Sequence, residues 1–336
     1  MISVAILGAT GYTAVELIKI LLRHPHVRIT ALTSREDGRS VDQVHPSLAG
    51  RLSLSLENLA PAKVACRAEC VFSCLPHCAS AKIVPELLAA GARIIDFSAD
   101  YRLDSPGVFQ KWYGEDHPDP GRLGNVPYGL PELFRSEIPG ATLVANPGCY
   151  PTSAILPLAP LLKEGIIAPE DVILDSKSGV SGAGRKPKMT TLYPECNESF
   201  AAYGVGTHRH TPEIDRVLTL FGGKATNVIF TPHLVPMDRG ILTTAYLRPG
   251  KSGIRAKDVM DALRDFYAAE PFVQVVETLP ATKDVSGTNN CRITARTVGD
   301  RILTISVIDN LVKGASGAAA QNFNLLYGFD ETLALI

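Results

Sequence analysis

Residues 1–35 of this chain set out a strand, a glycine turn, a helix and a second strand, an order that commits the fold to a parallel α/β layer. Ser3-Val4-Ala5-Ile6-Leu7 is apolar without polar alternation, as in a strand buried on both faces. Gly8-Ala9-Thr10-Gly11-Tyr12-Thr13-Ala14 follows, then a helical pattern over 15–22 and a strand over 27–32 that ends at Thr33-Ser34-Arg35. Such a unit offers a pyrophosphate the unpaired N–H groups and positive dipole end of a helix. Gly8 and Gly11 permit the tight turn, and Ala14 in place of a third glycine is still small enough for close helix–strand contact. Gly8, Thr10, Gly11, Tyr12 and Thr13 are therefore candidate dinucleotide-binding residues. Where an acidic residue would suit a ribose hydroxyl stand Ser34 and Arg35, which suit a 2′-phosphate. NADP is favoured over NAD on this ground, with Glu36 and Asp37 as counterweights.

The alternation continues with strands predicted over 71–75 and 93–97, joined by a helix over 79–90. Leu75-Pro76-His77 falls at a strand's carboxyl end, where ligands of open α/β sheets gather. Leu75 and Pro76 join the cofactor candidates, and His77 is a neighbour. Asp96-Phe97-Ser98-Ala99-Asp100-Tyr101-Arg102 ends the next strand and makes Arg102 a candidate for a substrate anion. After residue 150 the extended stretches lengthen, over 171–178, 228–234, 241–247, 273–278, 291–297 and 301–308, with a helix over 254–269. This predicts an α+β domain with a largely antiparallel sheet. The expected fold is thus α/β: a Rossmann-like NADP-binding domain over 1–148, completed by 310–336, and a catalytic and oligomerisation α+β domain over 149–309.

Composition narrows the function by exclusion. With 33 basic and 34 acidic residues and a net charge of −1, the chain has no broad basic field for nucleic acid or anionic membrane. No apolar run reaches membrane-spanning length. Seven cysteines, an odd number without regular pairing, and no leader-like start give a cytoplasmic protein with reduced thiols as the expectation. Cys66, Cys70, Cys74 and Cys78 recur every four residues, but a strand through the middle would not bring their sulfurs to one face, so no metal site is expected.

The chemistry gathers at Leu143-Val144-Ala145-Asn146-Pro147-Gly148-Cys149-Tyr150-Pro151-Thr152. A strand stops at an Asn-Pro-Gly turn, a thiol follows, and residues 153–159 read as the start of a helix. Cys149 at a helix N-terminus meets N–H groups and a positive dipole end that favour the thiolate. The same N–H groups, with Asn146, are candidates to hold an oxyanion. A second cluster is Gly206-Thr207-His208-Arg209-His210-Thr211-Pro212-Glu213-Ile214, with Thr211 and Pro212 expected as N-cap and first turn of a helix. His210 or His208 could move a proton for a Cys nucleophile, Glu213 is close enough to orient an imidazole, and Arg209 adds fixed charge. A third stretch, from Ser176-Lys177-Ser178-Gly179 through Gly182 to Arg185-Lys186, reads as a Gly/Ser loop. Its backbone donors, at Ser178, Gly179 and Gly182, could line an anion or cofactor.

These blocks, with Tyr128-Gly129-Leu130-Pro131-Glu132 and Asn310-Leu311-Val312-Lys313-Gly314-Ala315-Ser316-Gly317, closely resemble the N-acetyl-gamma-glutamyl-phosphate reductase family of the aspartate-semialdehyde dehydrogenase superfamily. The matching segments span nearly the whole chain, and the Cys and His-Arg-His blocks together carry the specificity. Ala14 departs from the family's usual glycine. The resemblance implies NADPH-dependent reduction of N-acetyl-glutamyl 5-phosphate to the 5-semialdehyde through a Cys149 thioester, in arginine biosynthesis. It further implies that His210, with His208 as the other choice, transfers the proton and that Asn310 holds the nicotinamide amide. Arg102, Arg185 and Lys186 are the choices for the substrate's carboxylate or phosphate. A homodimer or homotetramer acting on a small acyl phosphate is expected. Two other functions stay open at this point. One is the same reaction on an amino-protected aminoadipyl phosphate or aspartyl phosphate, and the other a non-catalytic NADP-binding sensor.

Overall fold

The computed structural model describes residues 1–35 and 38–336, so Glu36 and Asp37 lie outside the described residues. The chain forms two compact units, Met1–Pro147 with Ala315–Ile336 and Gly148–Gly314.

The first unit is built on β1 (Ile2–Leu7), β2 (Val27–Thr33), β3 (Leu56–Glu57), β4 (Cys70–Ser73), β5 (Arg93–Asp96) and β6 (Leu143–Ala145). All neighbours are parallel, in the order β3-β2-β1-β4-β5-β6. This is the doubly wound sheet expected from the opening βαβ unit. The continuous apolar runs follow from burial on both faces. Val4 and Ile6 share a core with Leu17 and Ile18 of the Tyr12–Leu21 helix and with Phe323 of the Gly317–Leu326 helix. Ala5 and Leu7 point the other way, into a core with Val84 and Leu87 of the Val84–Ala89 helix. That last helix is shorter than the predicted 79–90. Ser80 turns its hydroxyl to Asp96 at 2.7 Å, and the helix starts only after it.

The second unit carries β7 (Val172–Gly179), β8 (Ala201–Ala202), β9 (Val228–Val235), β10 (Ile241–Leu247), β11 (Val273–Val275), β12 (Cys291–Val298) and β13 (Arg301–Ile308). Their order is β11-β12-β13-β10-β7-β9-β8. Four pairs are antiparallel, while β7–β9 and β11–β12 are parallel, so the sheet is mixed with an antiparallel majority. Burial alternates along β7 and β10, with Leu174, Ser176, Thr243 and Ala245 inward. The other face shows the half-buried Ile173, Leu242, Leu303 and Ile305 and the exposed Tyr246. No helix among the described residues is long and apolar enough to cross a membrane.

The Cys149–Lys163 helix is buried at every residue from Tyr150 to Leu162, although Pro157 and Pro160 lie inside it. Each proline removes the N–H that would satisfy a carbonyl four residues back. Both orphaned carbonyls are nonetheless paired. Ser306 donates its hydroxyl to Ser153 O at 2.6 Å, and Tyr267 donates to Leu156 O at 2.5 Å. The Ser153 hydroxyl meets Thr243 at 2.7 Å, and Thr243 meets Ser176 at 2.8 Å. A helix that cannot hold itself by its own ladder is thus fastened to β7, β10 and β13.

Candidate active site

Cys149 is the first residue of its helix, with Gly148 as N-cap. The helix therefore begins four residues ahead of the predicted 153. Tyr150 and Pro151 fall in the first turn, where a missing proline N–H costs no intrahelical bond. Backbone closes in on Cys149 from one side: a Cβ added to Gly314 would lie 2.7 Å from Cys149 Cβ. Gly314 reaches that position in a π-type turn over Val312–Ser316, its N–H donating to Asp309 O at 2.9 Å. Asp309 is fully buried, and its carboxylate accepts the N–H groups of Leu311, Val312 and Gly287 and Arg239 Nη1.

The His-bearing segment meets the same turn. Gly148 N–H donates to Glu213 Oε1 at 2.9 Å, and Glu213 is buried in the first turn of the Thr211–Gly222 helix. His210 occupies the N-cap position and Thr211 the first helical one, a residue earlier than the sequence suggests. Ahead of the helix, His208 Nδ1 accepts the His210 N–H at 3.2 Å. His208 lies edge-on to Tyr150 and Phe230, with ring centroids 5.4 and 5.3 Å away, and 4.9 Å from His210. Burial and then the Arg209 charge push its pKa down to about 4. Tyr203 donates its hydroxyl to the Tyr150 hydroxyl at 3.1 Å, which itself donates to His233 O. Burial raises Tyr203 to about 12, and a negative charge on Cys149 adds to that rise, as it does for Tyr150. Both phenols thus stay protonated beside the thiol. Neither tyrosine stands out in the sequence, because nothing in their local pattern separates them from packing residues.

The predicted Gly/Ser loop is different from expectation. Ser178 and Gly179 belong to β7, paired with β9 and β10, and Val180–Ala183 is a 3₁₀ turn. The structure is tight there, since a Cβ on Gly179 would sit 2.4 Å from Asp238 O and one on Gly182 3.0 Å from Ser178 Oγ. Asn310 braces the turn, donating to Ser181 Oγ at 3.0 Å and accepting the Gly240 N–H at 2.7 Å. Beyond it, Arg185 and Lys186 are exposed.

In the first unit, Gly8 has φ +72°, and a Cβ there would lie 2.6 Å from Cys74 O and 3.5 Å from a Leu75 methyl. The turn after β1 therefore presses against the end of β4, at the carboxyl edge of adjacent strands. Gly11 caps the Tyr12–Leu21 helix without a side-chain cap, and no acidic residue occupies the first turn. This is a cradle suited to a phosphate anion. Ser34 and Arg35 follow β2, with Arg35 exposed, and Pro76 is exposed beyond β4.

Asn146 and Arg102 both lie buried near the strand ends of the first unit. Asn146 is buried, its Nδ2 donating to Ala315 O at 3.0 Å and its Oδ1 accepting Asn322 Nδ2 at 3.1 Å. Arg102 is buried too, with Nε on Asn146 O at 2.7 Å and Nη2 on Phe97 O at 2.6 Å. These two donors brace the strand ends. The cysteines at four-residue spacing are dispersed: Cys66 is exposed, Cys70 lies within β4, and Cys78 has φ +65° in the loop beyond.

Comparisons with known proteins agree with this division. A family model described as semialdehyde dehydrogenase, NAD binding domain, matches residues 3–141, and one described as semialdehyde dehydrogenase, dimerisation domain, matches 149–310. The N-acetyl-gamma-glutamyl-phosphate reductase of Rhodopirellula baltica is 54% identical over 99% of this chain and 98% of its own. Those of Citrifermentans bemidjiense and Magnetococcus marinus are 52% and 53% identical, over 100% and 99% of this chain and 98% and 96% of theirs. Among solved structures, aspartate semialdehyde dehydrogenase II from Vibrio cholerae, complexed with ASA, aligns with a TM-score of 0.73 at 18% identity, covering 98% of both chains. The Candida albicans aspartate semialdehyde dehydrogenase with NADP gives 0.68 at 17%, covering 97% of this chain and 98% of its own. At such identity the likeness is one of fold.

Proposed function

This chain belongs to the N-acetyl-gamma-glutamyl-phosphate reductase family, and on that premise we propose that it reduces N-acetyl-glutamyl 5-phosphate to N-acetyl-glutamate 5-semialdehyde. NADPH is the reductant, phosphate is released, and the step serves arginine biosynthesis. The observation that carries the mechanism is the shared anchor of the two clusters. Glu213, three residues after His210, holds the amide of the residue before Cys149.

The Cys149 thiolate, favoured by the helix N-terminus, attacks the acyl carbon, and the C–O bond to phosphate breaks to leave a thioester. N–H groups of the first helical turn hold the oxyanion, with Asn146 as the side-chain candidate for the same task. NADPH, when bound, supplies the hydride that takes the thioester to a thiohemiacetal. His210 holds the proton that this oxygen takes up and receives it back as the thiohemiacetal collapses to aldehyde and thiolate. Tyr150 and Tyr203, kept protonated, border the thiol without competing as bases.

Gly8, Thr10, Gly11, Tyr12 and Thr13 hold the pyrophosphate, and Gly8 fits because a side chain there would strike Cys74 O. Ser34 and Arg35 take the 2′-phosphate, while Leu75 and Pro76 border the cofactor. Ser178, Gly179, Gly182 and the braced Asn310 form the shelf for the nicotinamide end. Arg185 and Lys186, exposed beyond that shelf, meet the substrate's anionic groups. The open sheet face of the second unit joins two copies into a dimer.

Replacement of Cys149 by Ser tests the reading. Acyl-phosphate reduction should fall by more than about a thousandfold while NADP affinity holds within about twofold. Unchanged turnover would remove the thioester mechanism, and a preference for aspartate semialdehyde in the reverse assay would remove the substrate.

A further inference from the structure

Two histidines stand two residues apart, both against the ring of Tyr150, with centroids 5.4 and 5.9 Å away, and Tyr150 follows Cys149 directly in the chain. We infer that His208 is a positioning residue: wedged among aromatic rings, it takes the His210 N–H on Nδ1, fixing His210 at the head of its helix, and carries no proton in the reaction. This rests on the assignment of Cys149 and His210 above and assigns the second histidine within it.

The hydrogen bond itself dictates the ring's state. An Nδ1 that accepts the His210 N–H at 3.2 Å has no proton of its own, so the ring hydrogen resides on Nε2. Protonation of the ring would place its second hydrogen on Nδ1, facing a donor, and the hydrogen bond from the His210 N–H would be lost. The surroundings oppose protonation as well. Among the described residues, the rings against His208 are those of Tyr150, Tyr203, Phe230 and His210, with centroids between 4.9 and 5.4 Å away. None of these is a carboxylate, and the neighbouring charge, Arg209, is positive. Burial and that charge together hold the group near pKa 4, below the range in which a proton shuttle works at neutral pH.

The same contacts define what the ring is for. Thr211 N–H donates to His208 O at 3.0 Å, so main chain and side chain of His208 take the amides of two consecutive residues. Gly204, at φ +57°, passes with its bare Cα beside the ring, where a Cβ would lie 3.4 Å from His208 Cβ and Cδ2. The segment from 204 to 211 is therefore wound around the His208 side chain, and His210 is presented by that winding. A small misplacement of a proton-transfer group lowers turnover far more than binding.

Two substitutions separate holding from proton transfer. Asn can accept the N–H two residues on, as in an Asx turn, whereas Leu fills the cage without an acceptor. His208→Asn should keep kcat within about tenfold of the parent and leave the shape of the pH–rate profile unchanged. His208→Leu should lose a further factor of about ten or more in kcat, with KM and NADP affinity close to the parent. Equal losses in both variants, with a limb of the pH profile gone, would make His208 the proton carrier and overturn the inference; so would full activity in both. The parent enzyme supplies a measurement that does not depend on variants folding. Nitrogen-15 shifts of the imidazole should report a neutral, Nε2-protonated His208 from about pH 5 to about pH 8, and an Nδ1–H tautomer or a titration in that window would also overturn it. His210→Asn marks the boundary with the underlying assignment. If that variant stays fully active, the role of His210 falls, whereas the tautomer of His208 is decided separately.

Discussion

His208 has a thermodynamic consequence apart from turnover. Its folded-state pKa near 4 lies below the ordinary 6.5, so between these values the unfolded chain binds a proton that the folded chain refuses. Stability present above about pH 6.5 is therefore lost as pH falls toward about 4, by up to roughly 3 kcal/mol. Asp96 works in the opposite sense. Burial, with Asp100 alongside, raises its carboxyl to about 6, so the folded chain keeps a proton the unfolded one has released. Its contribution is lost as pH rises from about 4 to about 6. The two oppose each other in the whole curve, and a difference measurement separates them. Urea unfolding of the parent and His208→Asn across this range should show a shallower loss toward acid in the variant, and parallel curves would contradict the buried neutral ring. At this scale the sequence discloses residues whose chemistry is rare. Cys149 and the His-Arg-His block are visible because a thiol after a turn and paired imidazoles before a helix are unusual. Tyr150 follows the thiol in sequence, while the places of Tyr203 and Gly314 beside it stay hidden, since only the fold brings residues 203 and 314 to residue 149. Arg102 shows what a strand-end charge does not disclose in sequence: two of its donors are found on Asn146 O and Phe97 O.

The Cys149–Lys163 helix shows how an element can depend on others for its hydrogen bonds. Its prolines at 157 and 160 release two carbonyls, and single hydroxyls on Ser306 and Tyr267 claim them. Removing either hydroxyl leaves a buried carbonyl unpaired. Tyr267→Phe and Ser306→Ala should each cost about 1–3 kcal/mol in urea unfolding, since the acceptor's desolvation is then uncompensated. Because Tyr267 meets the helix at Leu156, well past its first turn, Tyr267→Phe should leave kcat within about twofold. A loss below about half a kcal/mol would mean the carbonyl finds another donor. Elements of this molecule were legible where a period repeats. The runs buried on both faces gave β1, β2, β4, β5 and β6 but not the two-residue β3, and the longer extended stretches gave β7, β10 and β13 close to their ends. Helix starts were less legible, because the Cys149 helix opens at Gly148 through a Pro-containing turn and the Thr211–Gly222 helix starts after His210, both without a side-chain cap. Neither signal belongs to the usual Ser, Thr, Asp and Asn vocabulary of caps.

At the scale of the molecule, the second sheet shows an apolar, partly exposed outer face among the described residues. On the outer face of the second sheet, Tyr246 lies across from Ile173 and Leu303, and Thr244 from Asp175 and Ile305. Tyr246 is 37% exposed at the middle of this face. If this face joins two copies, Tyr246→Arg with Leu303→Arg should shift the sedimenting species to a smaller mass at micromolar protein, while each chain keeps its circular dichroism. An unchanged mass would move the interface elsewhere.

The order in which the chain visits its two units bears on how it is made. The second unit is one continuous stretch, Gly148–Gly314, whereas the first needs both Met1–Pro147 and Ala315–Ile336. The late segment is no ornament: Ala319, Phe323 and Leu326 are buried in the same core as Val4, Ile6 and Phe72. His24 Nε2 meets Asn324 Oδ1 at 2.9 Å, joining residues 300 positions apart. A nascent chain leaving the ribosome therefore holds its first sheet half-covered through the synthesis of the entire second unit. The dinucleotide turn is among the first segments translated, yet the layer behind its helix closes only with the final helix. Chaperone attendance on the growing chain, and its release on completion, would follow that timetable.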